Sequence, residues 1–97
     1  MTTWFVSRHP SAQAWAMTQG FVIDKQVSHL DLNTVQPNDK VLGTLPVHLA
    51  AAVCAKGALY YHLSLDMPAT LRGKELSVTD MQQCNARLEA YSVQKND

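Results

Sequence analysis

Residues 3–12 read TWFVSRHPSA, and the fold turns on how this stretch is divided. Its first half, TWFVS at 3–7, is aromatic and β-branched, the composition of a short buried strand. Pro10 suits the first turn of a helix, where its missing N–H would lack a partner in any case. Ala12, Trp15 and Ala16 then share one helical face, and Gly20 fits the stop position. Ser7, Arg8 and His9 are left as a three-residue corner between strand and helix.

The same arrangement recurs. KVLGT at 40–44 reads as a strand, and Pro46 opens a second helix, VHLAAAVCAK, that stops at Gly57. Between the two units, residues 21–30 hold a further strand ending in VSHL, and Gln36-Pro37-Asn38-Asp39 is a turn. LYYHLS at 59–64 is the fourth strand. A connection over 65–76 contains Pro68 and Gly73. The last helix opens at Ser77, with Asp80 three residues on in a near capping box. Val78, Met81, Cys84, Leu88 and Tyr91 continue it at helical spacing. The order β-α-β-β-α-β-α predicts an α/β domain over residues 1–97. Its sheet is four-stranded and mainly parallel, in the order 2-1-3-4, with about three helices covering both faces. In that order the chain reverses between strands one and three, and ligands bind beyond the carboxyl ends of the strands at such a crevice.

Composition narrows the function. Eight Lys plus Arg balance eight Asp plus Glu, so the chain lacks the basic footprint that long DNA or RNA demands. A small anion held by a few local groups remains compatible. No basic leader precedes an apolar run, and no run is long enough to span a bilayer. Cys54 and Cys84 belong to no metal-ligand pattern and read as reduced thiols, so the expected compartment is the cytoplasm. There is no GxGxxG, P-loop, HExxH or acidic cluster suited to Mg²⁺. No cofactor or metal is expected.

The candidate site follows from the topology. Ser7-Arg8-His9-Pro10 and Gly43-Thr44-Leu45-Pro46 meet at the reversal, each presenting a helix N-terminus with free N–H groups and partial positive charge. Two such termini beside an arginine form a phosphate site, and Gly43 permits close backbone approach. His29, Asp31 and Ser64 close the other strand ends, and Arg72 rises from the 65–76 connection, which has the length of a lid. Structural readings stand beside these. Ser7 and Thr44 also suit helix caps, Arg8 an ion pair with Asp31 or Asp66, and Asp31 the cap of the DLNTV turn. Asp66 suits a role fixing its own loop. His48 and His62 read as surface or core histidines.

Three stretches carry a resemblance: TTWFVSRHPSAQAWA (2–16), HLD (29–31) and GTLPVHLAAAVCAKGALYYHLSLDMPATLRGKEL (43–76). They resemble a family of small CRISPR-associated proteins encoded with type III systems. The resemblance implies a Rossmann-like fold related to cyclic-oligoadenylate sensor domains. It also implies a homodimeric ring nuclease that cleaves cyclic tetra-adenylate and ends antiviral signalling. Position and chemistry, not the resemblance, assign the roles. Arg8 would stabilise charge on the phosphorane, with backbone N–H groups of residues 9–11 or 45–47 assisting. His9 would move a proton at the leaving oxygen or the 2′-hydroxyl. Ser7, Pro10, His29, Asp31, Gly43, Thr44, Leu45, Pro46, Ser64 and Arg72 would bind ligand. A non-cleaving cyclic-oligoadenylate binder, acting as sensor or sink, uses the same corners. A protein that docks on a larger CRISPR component is the third reading.

Overall fold

The computed structural model describes residues 1–66, 68–71 and 75–96, apart from the side chain of Leu71. The chain runs β1 (Thr3–Val6), α1 (Pro10–Thr18), β2 (Lys25–Val27), a 3-10 turn (Leu32–Thr34), β3 (Lys40–Gly43), α2 (Val47–Ala55), β4 (Leu59–Ser64), a second 3-10 turn (Ala69–Leu71), α3 (Val78–Gln83) and β5 (Arg87–Tyr91). The sheet order is β2-β1-β3-β4-β5. The first four strands are parallel and stand in the expected order.

Strand alternation builds two cores. Trp4, Val41 and Tyr60 point to one face, where Ala50 and Val53 of α2 cover them. Phe5 and Leu42 point to the other, beneath Ala12, Trp15 and Ala16 of α1 and Met81 of α3. Neither face is left to water, as a parallel sheet requires.

Two expectations are corrected. The spacing Val78, Met81, Cys84, Leu88, Tyr91 predicted one long helix, but α3 ends at Gln83 and residues 87–91 form β5, antiparallel to β4. Asn85 adopts φ +56°, the left-handed conformation that ends helices and that Asn tolerates better than most residues. Beyond it the chain alternates. Ala86 and Leu88 reach the α1/α3 core, and Glu89 lies on the opposite face beside Arg87 at 3.2 Å. The sheet is therefore five-stranded. The second strand is also shorter than expected, because β1 ends at Val6 and offers β2 three partners, the last of them Val27. His29 and Leu30 lie beyond it.

Asp39 ties the start of the chain to the 36–39 turn. Its buried carboxylate accepts the Thr2 N–H at 2.9 Å, the Trp4 indole N–H at 3.1 Å and the Gln36 N–H at 3.0 Å. Burial alone would push its pKa up. The hydrogen bonds from Gln36, Thr2 and Trp4 outweigh that and hold it below the ordinary 3.8. A carboxylate with a depressed folded pKa contributes stability above its unfolded value and loses that contribution as pH falls through the folded one. Asp39→Asn, which turns one of the two acceptor oxygens into a donor facing an N–H, is expected to cost about 1–3 kcal/mol at neutral pH. It should also flatten the fall in stability below about pH 4. Urea denaturation of both proteins across that range checks the expectation. An unchanged acid slope would show that another group carries it.

Candidate functional site

The carboxyl ends of β1 and β3 lie side by side, paired through Val6 and Gly43. Above them opens a pocket of about 660 Å³. Ser7, Arg8 and His9 line it from the β1–α1 corner, and Gly43, Thr44, Leu45 and Pro46 from the β3–α2 corner. His29 enters from the segment after β2. Eight of the candidate residues are thus brought to one cavity. Pro10, Asp31 and Ser64 are not among its lining residues, and Arg72 lies outside the described residues.

The hydrogen bonds decide which amides a ligand finds. Ser7 Oγ accepts the His9 N–H at 3.0 Å, so Ser7 braces the corner and leaves α1 without a side-chain cap. Thr44 does not cap α2 either, since Pro46 holds that position with no side-chain hydrogen bond. The Leu45 N–H is taken by Tyr60 Oη at 3.0 Å. Proline supplies no donor at position 10 or 46. Among the described residues, the amides of Ser11 on α1 and of Val47 and His48 on α2 have no acceptor. Each helix start therefore presents free N–H groups; Ser11 lines the pocket, and Val47 and His48 follow two and three residues after Leu45, next to the lining residue Pro46.

Arg8 is exposed, and no carboxylate among the described residues lies within ion-pairing distance of it. Asp31 instead accepts the Asn33 N–H at 3.0 Å, capping the turn at 32–34. Asp66 holds Asn85 at 3.1 Å and Arg87 at 3.3 Å, and these contacts keep its pKa below the ordinary range. Asp66 thus fixes the β4–β5 end of the sheet. The guanidinium of Arg8 is left for the pocket.

Gly43 has a different reason from the one the sequence suggested. Its φ is +143°, and a Cβ there would stand 2.5 Å from the carbonyl oxygen of Val6. The missing side chain admits strand β1.

Sequence reasoning missed Tyr60, Glu75 and the aliphatic wall. Buried Tyr60 accepts from Leu45 N and lies 3.2 Å from the Gly43 carbonyl and 2.7 Å from His62 Nδ1. Burial pushes its phenol above the ordinary value, so it serves as a neutral hydroxyl. His62 is accounted for by this contact and by edge-on packing with Tyr91. Leu30, Leu45 and Leu49 belong to the α2 core, and Leu63, Leu65, Leu76 and Met81 to the α1/α3 core. The pocket passes over the sheet edge from one to the other, giving a polar centre with apolar flanks. Glu75 stands near His9, with Oε1 3.7 Å from Nδ1. Strand alternation in LYYHLS could have placed Tyr60 on the α2 face. Nothing in the sequence pairs Glu75 with His9. No group of three or more metal-ligating side chains occurs among the described residues, and no helix there is long and apolar enough to cross a membrane.

The family described as "Putative CRISPR-associated protein (Cas_VVA1548)" matches residues 4–94. The chain belongs to this CRISPR-associated family. Its match spans both corners and every strand residue but Thr3. No curated protein and no solved structure matches the chain.

Tyr60→Phe removes the acceptor from a buried N–H. The variant is expected to lose about 1–3 kcal/mol of stability and to exchange the Leu45 amide faster, read by denaturation and hydrogen-exchange NMR. Wild-type protection at Leu45 would show that Tyr60 does not hold the corner.

Proposed function

We propose that this CRISPR-associated protein is a metal-independent ring nuclease that cuts cyclic tetra-adenylate into linear adenylates ending in 2′,3′-cyclic phosphate. The observation that carries the reading is a pocket lined by Arg8, by Ser11 at the start of α1 and by Pro46 at the start of α2, neither helix having a side-chain cap. Amides at helix N-termini bind phosphate, and a guanidinium adds a charged fork. A net charge of zero suits a compact anion better than a long polyanion. The apolar flanks supply faces for bases. A symmetric ring suits two copies of the site about a two-fold axis, so the proposal includes a homodimer.

In the reaction the 2′-hydroxyl gives up its proton as its oxygen bonds to phosphorus. The bond from phosphorus to the 5′-oxygen breaks, and that oxygen takes a proton. The site must hold the three atoms in line, an effect worth up to roughly 7–11 kcal/mol. Arg8 and the free amides stabilise the phosphorane oxygens. His9 moves one of the two protons.

Incubating the protein with excess cyclic tetra-adenylate in EDTA is expected to yield linear products, resolved by chromatography and mass spectrometry. Binding without products would make the protein a sensor or sink. Loss of activity in EDTA with recovery in Mg²⁺ would end the metal-free scheme. Arg8→Ala should slow single turnover by about 10²–10³-fold, and His9→Ala by about 10²–10⁴-fold. Unchanged turnover in either removes that residue from the chemistry.

A further inference from the structure

His9 is the N-cap residue of α1, yet its side chain makes no capping bond. Its ring turns instead toward the segment that returns from the 65–76 connection, where Glu75 Oε1 lies 3.7 Å from Nδ1. Two residues further along α1, Ser11 Oγ donates to the carbonyl of Leu76 at 2.5 Å. Leu76 packs against the core that contains Phe5, Ala12 and Met81. The start of α1 and residues 75–76 are therefore joined at adjacent points, one polar and anchored, the other charged. Glu75 and His9 both line the pocket.

We propose that Glu75 is the positioning residue for His9, holding Nδ1 so that Nε2 is presented to the ligand. A histidine can give or take a proton at a chosen atom only if the other nitrogen is fixed, and a carboxylate at Nδ1 fixes both tautomer and ring direction. Catalytic hydrogen bonds are commonly long without ligand and tighten when it binds, so 3.7 Å is a starting distance. The other charged or titratable side chains lining this pocket are Arg8 and His29. Arg8 cannot accept from Nδ1, and His29 rises from a different segment, after β2. Glu75 has no second ion-pair partner among the described residues. Its chemical consequence rests on the ring-nuclease reading; its hold on His9 does not.

The experiment has two readouts on the full-length chain. Long-range ¹H–¹⁵N NMR at alkaline pH reports which ring nitrogen of His9 carries the proton. Wild type is expected to show the Nδ1–H tautomer, and Glu75→Ala to shift His9 toward Nε2–H. Identical tautomer populations would overturn the proposal, whether or not the protein cleaves anything. In single-turnover cleavage of cyclic tetra-adenylate, Glu75→Ala is expected to slow the reaction about tenfold, the scale of losing an orienting carboxylate from a histidine. Glu75→Gln, which keeps an acceptor oxygen, should retain more activity. In a His9→Ala background, Glu75→Ala should have no further effect. An equal loss in that background would mean that Glu75 acts on the substrate or the fold, and the proposal fails. A wild type that binds without cutting would remove the nuclease reading and leave the tautomer result to decide the role of Glu75.

Discussion

At Gly43 the carbonyl oxygen of Val6 occupies the space where any other residue would carry its Cβ, 2.5 Å from that position. This contact lets two parallel strands from different parts of the chain run side by side to their ends. Each then turns a corner into a helix that starts at or just after a proline. Because the strands are neighbours and parallel, their corners rise on the same edge, and so do the starts of α1 and α2. The pocket and the nearness of both helix starts and Arg8 to it are consequences of that adjacency.

The corners are kept in shape by hydroxyl groups bonded to backbone amides. Ser7 Oγ holds the His9 N–H, and Tyr60 Oη holds the Leu45 N–H from beneath. These bonds use donors that would otherwise be available and leave others pointing outward. At the outer strands, Asp66 just past β4 holds Arg87 of β5, which also meets Glu89 on its own strand. Three acids near this edge contact other groups, Asp31 a turn, Asp66 Arg87 and Glu75 His9. Among the described residues, Arg8 is thus left without an ion-pair partner at the pocket.

Much of this is legible in the sequence. Proline after a three-residue corner, twice, places both helix starts, and the alternation of short apolar runs with helical segments fixes the order of the first four strands. The capping box at Ser77 and Asp80 is also present as read. What escapes is governed by tertiary contact. A helical spacing that runs from Val78 to Tyr91 also fits a short helix followed by a strand, and the left-handed Asn85 separates the two. Gly43 looks like a ligand-facing glycine until the neighbouring strand is seen. Tyr60 and Glu75 act across 15 and 66 positions of sequence respectively, and no local pattern encodes such pairs.

The central claim is that phosphate is grasped by the exposed amides of two helix starts together with Arg8. An amide-resolved NMR titration with cyclic tetra-adenylate, under conditions too brief for turnover, tests it most directly. The account predicts that the largest shifts fall on the N–H groups of Ser11, Val47 and His48 and on the Arg8 side chain. Shifts concentrated on β5 or the outer face of α3, with those four groups unmoved, would contradict it.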